Sequence, residues 1–98
     1  MPAYFIAEIK VHDLEPYKQY IARVPALIAE YGGRYVVRGG EASEAFGGWD
    51  PGRMVVIEFE SAERVREWLN SPEYRAIAPL RERSTKSRAI IVEGYVPA

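Results

Sequence analysis

The sequence predicts an α+β domain with one four-stranded antiparallel sheet, in the order strand, helix, strand, strand, helix, strand. Three observations carry this reading. Two segments place apolar residues at three- and four-residue steps, the period of an amphipathic helix. Four shorter segments alternate apolar and polar residues or are rich in β-branched and aromatic ones, as strands are. The helical segments fall after the first and third of these strands. With 98 residues, 48% of them hydrophobic, the chain closes one core, so residues 1–98 are read as a single domain.

Ala3 to Val11 is the first strand, with Phe5, Ala7, Ile9 and Val11 on one face and Tyr4, Ile6, Glu8 and Lys10 on the other. Asp13 stands where a helix N-cap accepts from free backbone N–H groups, and Pro16 falls in the first turn, where a missing N–H costs little. Leu14, Tyr17, Ile21, Val24, Ile28 and Tyr31 form the apolar stripe of the helix that follows. Pro25 predicts a kink, and Gly32-Gly33 a left-handed stop. Arg34 to Arg38 is a short second strand, broken or bulged at Gly39-Gly40. A turn-rich connection spans residues 41–52. Arg53 to Glu60 is the strongest strand, with Val55, Ile57 and Phe59 on one face and Met54, Val56, Glu58 and Glu60 on the other. Ser61 caps a second helix carrying Val65, Trp68 and Leu69. Ser71-Pro72-Glu73 restarts it, with Tyr74, Ile77 and Leu80 continuing inward and Pro79 predicting a bend. Ser84 to Ser87 reads as a polar loop, and Ala89 to Tyr95 as the last strand.

This order is the split βαβ pattern of the ferredoxin-like fold, whose right-handed crossovers put both helices on one face of the sheet. Phe5, Ile9, Val55, Ile57, Phe59, Tyr35 and Val37 are expected under the helices. The open face then carries Ile6, Val36, Met54 and Val56 beside Glu8 and Glu58. That is too apolar for a solvated sheet face, which normally reads polar. A second copy covering it gives a homodimer joined through the open sheet face, a dimeric α+β barrel.

Composition excludes several functions. Lys plus Arg is 13 and Asp plus Glu 14, a net charge of -1, without the basic surplus of nucleic-acid binders or of proteins that hold acidic membranes. The absence of cysteine removes disulfides, thiolate nucleophiles and cysteine-type metal sites. One histidine, His12, cannot form a multi-histidine cage, and no metal or cofactor is expected. No segment approaches the roughly 20 apolar residues of a membrane helix, and the N-terminus lacks the pattern of a signal peptide. A cytoplasmic location fits the lack of cysteine.

Asp13 with Tyr17-x-x-Tyr20, Tyr31-Gly-Gly-Arg34-x-x-x-Arg38-Gly-Gly40, Trp49-x-Pro51-x-Arg53, Val56-Ile57-Glu58-Phe59, Trp68-x-x-Ser71-Pro-Glu73-Tyr74, Arg81 and Val92-Glu93-Gly94 occur in that order over nearly the whole chain. This ordered set resembles the family called domain of unknown function 1330. The resemblance implies ferredoxin-like protomers paired as dimeric α+β barrels, a superfamily that includes cofactor-independent monooxygenases, isomerases and haem-degrading enzymes. It implies no chemistry for this chain beyond analogy of fold.

The candidate chemistry lies in charges aimed at the open face. With Tyr35 and Val37 under the helices, Arg34 and Arg38 point outward with Glu58, and Arg38 is expected to pair with Glu58 across neighbouring strands. Such a pair either fixes the sheet or serves as an arginine anchor with a glutamate general base. Trp49 in the Gly-rich connection is either a pocket wall or an interface anchor. Arg53 beside it is a candidate for neutralising an anionic ligand, and His12 for proton transfer. The expected function is binding of a small anionic or carbonyl-bearing metabolite, with cofactor-independent proton transfer, isomerisation or oxygenation. The alternative is a non-enzymatic dimeric ligand-binding or protein-interaction module.

Overall fold

The computed structural model describes residues 1–97. Its elements are β1 (Ala3–Val11), α1 (Leu14–Glu30), β2 (Arg34–Arg38), β3 (Arg53–Phe59), α2 (Ala62–Asn70), α3 (Pro72–Ser84) and β4 (Thr85–Glu93). The four strands form one antiparallel sheet in the order β2-β3-β1-β4, the predicted ferredoxin-like arrangement.

The core fills the space between the sheet and the helices. Ala3, Ala7 and Ile9 of β1 and Val55, Ile57 and Phe59 of β3 are buried there by strict alternation. Helix α1 contributes Tyr17, Tyr20, Val24 and Ile28 at the helical repeat. Trp68 of α2, only 1% exposed, is the hub. Its ring stacks on Phe59 at 5.4 Å, meets Phe5 edge-on at 5.2 Å and lies 4.8 Å from Tyr74.

Local sequence signals explain most element ends. Helix α1 runs unbroken through Pro25 and stops where Gly32 takes φ +80°, a conformation that glycine adopts without penalty. Ser61 Oγ accepts from Arg64 N at 3.1 Å, and Ser71 Oγ accepts from Tyr74 N at 3.1 Å, with Pro72 opening α3. Ser61→Ala removes the first of these caps and should lower stability by about 1 kcal/mol in urea unfolding.

Three expectations change. Asp13 occupies the N-cap position of α1 in extended geometry, but its side chain makes no capping hydrogen bond. Leu14 is exposed, and the inner stripe of α1 uses Tyr20 in its place. The predicted loop at 84–87 does not exist, because α3 passes directly into β4. Ser84 Oγ donates to Leu80 O at 2.5 Å and Thr85 Oγ1 donates to Arg81 O at 2.7 Å. The Leu80 and Arg81 carbonyls thus gain side-chain donors without a connecting segment, and Thr85 already pairs with Val11.

Candidate functional site

The open face of the sheet is ordered in rows, because cross-strand partners share a face. The middle row is apolar and crosses all four strands: Val37, Val56, Ile6 and Ile90. On one side lies the row Arg34, Glu58, Tyr4 and Val92. Arg34 Nε donates to Glu58 Oε1 at 2.7 Å, and the Tyr4 hydroxyl donates to Glu58 Oε2 at 3.0 Å. On the other side lie Met54, Glu8 and Arg88. Glu8 accepts from Arg88 Nε at 2.9 Å and from the indole Nε1 of Trp49 at 3.1 Å. Each glutamate therefore has a partner on both carboxylate oxygens, the pattern of a structural clamp.

The Trp49 hydrogen bond, against the opposing effect of burial and with help from Arg88, holds the Glu8 carboxyl below its ordinary value of 4.5. Its folded-state pKa lies under the unfolded one, so its stabilising contribution is complete above about pH 4.5 and is lost as pH falls through the lower folded value. Glu8→Gln should accordingly show a shallower loss of stability below pH 4.5 than the parent chain in acid-titrated thermal melts. The bond to Glu58 raises the Tyr4 hydroxyl in turn.

Arg38 is not part of this face. The register shifts between Tyr35 and Val37: Tyr35 pairs with Ile57, Val37 with Val56 and Arg38 with Val55. One extra residue in β2 reverses the alternation, so Val37 turns outward and Arg38 turns under the helices. The expected Arg38–Glu58 pair is therefore replaced by Arg34–Glu58. Arg38 instead lies over the Tyr35 ring, 4.7 Å from its centroid. His12 sits exposed in the turn after β1, where its backbone N–H donates to Ser84 O at 2.9 Å. It lies outside both the glutamate clamps and the cavity described next.

The cavity is on the helix side. It has a volume of about 570 Å³ and lies between α1, α2, α3 and the sheet. Its charged lining residues are Arg38, Arg53, Arg66, Arg81 and Arg88, the last with its guanidinium held by Glu8 on the open face; no carboxylate, histidine or lysine is among them. Tyr17, Tyr20, Tyr35, Tyr74 and Ser87 supply hydroxyls, and the remaining wall is aliphatic or aromatic.

The cavity is polarised along β1. At the level of Ile9, Arg53 of β3 and Ser87 of β4 flank the central strand. Arg81 reaches Ser87 Oγ with NH1 at 3.2 Å and donates from Nε to the Tyr74 hydroxyl at 3.3 Å. The Tyr74 hydroxyl in turn shares a 2.8 Å hydrogen bond with that of Tyr20. Burial, more than the neighbouring Tyr74, pushes the Tyr20 hydroxyl far above the ordinary phenol range. Burial raises Tyr35 as well, against the opposing charge of Arg38. Neither phenol is a base near neutral pH. At the other end, Phe5, Ile57, Ile28 and Trp68 form an apolar wall.

Gly39 fixes Arg53 in place. It has φ +69°, and a Cβ there would lie 2.6 Å from the Arg53 guanidinium carbon. The bare glycine thus provides the space that the guanidinium fills. Gly39→Ala should displace Arg53 and weaken binding of an anion in the cavity severalfold, measured by calorimetry.

Sequence reasoning named Arg53 and Arg38 as candidates, and both line this cavity, but it assigned Arg38 to the open face. It read Tyr74 as packing and gave Arg81 no role in a site. The available signal was spacing: Tyr74 and Arg81, seven residues apart on α3, and Tyr17 and Tyr20 on α1 bring polar tips to an inward surface, where each needs a partner.

The sequence profile described as Domain of unknown function (DUF1330) matches residues 2–95. No curated protein matches the chain. Among solved structures, the protein of unknown function RPA0582 from Rhodopseudomonas palustris is 18% identical, with 98% of this chain and 84% of that one covered and a TM-score of 0.80. SnoaB, a cofactor-independent oxygenase from Streptomyces nogalater, is 16% identical over 98% of this chain and 95% of its own, with a TM-score of 0.67. A dimeric ferredoxin-like protein of unknown function from Jannaschia sp. CCS1 is 9% identical over 96% of this chain and 100% of its own, with a TM-score of 0.71. These likenesses establish the fold.

Proposed function

We propose that this chain, which belongs to the DUF1330 family, binds a small organic anion with an apolar body in the cavity between its helices and its sheet. The observation that carries the reading is a cavity of about 570 Å³ whose charged lining is arginine alone. Its size suits a ligand of one to three rings. Arg38 and Arg53 have no carboxylate partner among the described residues, so a ligand acid group meets guanidinium donors not already engaged. Tyr74 and Ser87 hold Arg81 in position beside them.

The test is calorimetric titration with 2-naphthoate and with 2-naphthylmethylammonium, which share a ring system and differ in charge. Saturable binding of the acid at one per chain, with no binding of the cation, supports the proposal. Equal binding of both, or of neither, overturns it.

The cavity's own groups hold an anion rather than remove a proton, since the raised phenols and the arginines do not act as bases at neutral pH. Glu58, the expected general base, is on the other side of the sheet. Cofactor-independent oxygenation, the description of SnoaB, has the shared fold in its favour. Oxygen uptake with 1-hydroxy-2-naphthoate, an oxidisable acid of the same class, separates turnover from binding alone.

The second part of the proposal is a homodimer joined through the open sheet face. Ile90 is 60% exposed and Val92 41% exposed in the protomer, and the apolar row to which Ile90 belongs is flanked by the two glutamate clamps. An apolar centre with a polar rim is the anatomy of a protein interface. Similar structures from Bacteroides fragilis and Jannaschia sp. CCS1 are described as dimeric.

A further inference from the structure

Three of the cavity's guanidiniums are drawn to one end of it. Arg38 lies opposite Val55, and Arg53 stands two residues before Val55 on the same inward side of β3. Their backbones are diagonal cross-strand neighbours, about 7–8 Å apart. The side chains stay close as well. The Arg53 guanidinium fills the space at Gly39, the residue after Arg38, and both charges act on the Tyr35 phenol. Arg81 closes from beyond β1. It donates to Ser87 Oγ, and Ser87 and Arg53 flank Ile9 in one row, about 10 Å apart across β1. None of the three pairs with a carboxylate among the described residues.

Two hydroxyls join them. The tyrosine hydroxyls held in hydrogen bonds among the described residues are those of Tyr4, Tyr20 and Tyr74. Those of Tyr17 and Tyr35, which also line the cavity, are not. Nor are they shut off from solvent: the unpartnered side-chain atoms that are shut off, among the described residues, are Arg53 Nε and Trp68 Nε1. Tyr17 and Tyr35 therefore keep reachable donors in the cavity wall, near enough to each other for the two phenols to interact.

Resting on the organic-anion reading, we propose that the ligand's acid group is a doubly charged phosphoryl group, so that the ligand class is a phosphate monoester of a flat, apolar alcohol or phenol. Charge and donor count select it. A singly charged acid leaves two of the three guanidiniums uncompensated and a doubly charged one leaves a single excess charge, in a cavity whose lining holds no carboxylate. A carboxylate offers two acceptor oxygens, whereas a phosphate monoester offers three, spread tetrahedrally. Arg38 is exposed and presents its donor fork to the head group. The Tyr17 and Tyr35 hydroxyls donate to the oxygen that the fork leaves over. Arg53, whose Nε is covered by protein, offers its terminal nitrogens and its charge. Phe5 and Ile57 belong to the apolar wall that receives the ring system.

The probes are 2-naphthyl phosphate and 2-naphthyl sulfate, which share a ring system and a tetrahedral head. The phosphate passes from one negative charge to two as pH rises through about 6, and the sulfate keeps one throughout. The charged lining is Arg38 of β2, Arg53 of β3, Arg66 of α2, Arg81 of α3 and Arg88 of β4; arginines stay charged across this range, so a pH dependence belongs to the ligand. By calorimetry on the full chain at about pH 8, the phosphate should bind about tenfold or more tightly than the sulfate and than 2-naphthoate. At about pH 5 its lead over the sulfate should shrink to about threefold or less. Tyr17→Phe keeps the ring and removes a hydroxyl that has no protein partner, so it should weaken phosphate binding severalfold without lowering the melting temperature. Arg34→Met, on the open face, should change nothing. If all three acids bind equally at about pH 8, the second charge is wrong while the organic-anion reading stands. If 2-naphthoate binds and neither tetrahedral ligand does, the phosphoryl class is wrong and the organic-anion reading again stands. A phosphate lead undiminished at about pH 5 overturns the assignment of a dianion, and loss of phosphate binding in Arg34→Met overturns its location. If no acid binds, both readings fall together.

Discussion

Arg53→Met is expected to weaken 2-naphthoate binding on the order of thirtyfold, the equivalent of losing a charge-assisted hydrogen bond of ~2 kcal/mol, without lowering the melting temperature. The two halves of this result have separate causes. Binding falls because Arg53 stands at the polar end of the cavity, level with Ile9 and Ser87, where an acid group would meet it. Stability is retained because, among the described residues, the native guanidinium pairs with no carboxylate and its buried Nε has no partner. Methionine keeps most of the apolar stem and removes an uncompensated charge from a partly buried place. Calorimetry and thermal melts on the same preparation read both quantities. Arg34→Met is the control. It removes an arginine on the opposite face of the sheet, paired there with Glu58, and should leave naphthoate affinity unchanged. A loss of binding in Arg34→Met with none in Arg53→Met would place the ligand on the open face and overturn the cavity assignment.

The contrast between these two arginines shows where sequence reading succeeds and where it stops. Alternation in Arg53 to Phe59 set the faces of β3, and Arg53 follows that alternation to the inward side with Val55 and Ile57. The same reasoning applied to β2 put Tyr35 inward correctly, then failed at the next inward position. A bulge between Tyr35 and Val37 exchanges the sides of everything after it. Nothing in Arg-Tyr-Val-Val-Arg marks an extra residue, because no glycine or proline stands at the bulge. The glycines that suggested irregularity, Gly39 and Gly40, come after it; Gly39 does a different task by clearing space for Arg53. Capping was legible where a serine precedes a helical repeat, as at Ser61 and Ser71. Asp13 failed because the cap position is also a strand-to-helix turn, in which Asp13 N donates to Ser84 O at 3.2 Å. The cavity itself was not legible. Tyr17, Tyr74 and Trp68 read as core by period, and they are core, joined by Tyr20 from outside the predicted stripe; the period does not report how far helices stand from a sheet.

The open face was more legible than the cavity, and it carries the second large effect. Ile90→Asp should convert a dimer to a monomer, raising the dissociation constant about a hundredfold or more. The substitution is chosen for its position. Ile90 is 60% exposed in the protomer, so replacing it removes little burial from the fold itself, and the isolated chain should lose no more than about 1 kcal/mol. In a two-fold pair of sheets, however, each Ile90 ends a row that runs through Ile6 and Val56 to Val37. An aspartate there buries a carboxylate against the partner's aliphatic row, with no arginine in that row to receive it. Arg34 is held by Glu58 and Arg88 by Glu8, in the flanking rows. Burying an unpaired carboxylate costs several kcal/mol, more than the hundredfold change requires. Light scattering coupled to size exclusion, at micromolar chain concentration, reads the mass directly. A parent chain that is already monomeric, or an Ile90→Asp chain that stays dimeric, would refute pairing through this face. The cavity proposal would stand in either case, because its ligand contacts come from the helix side of one protomer.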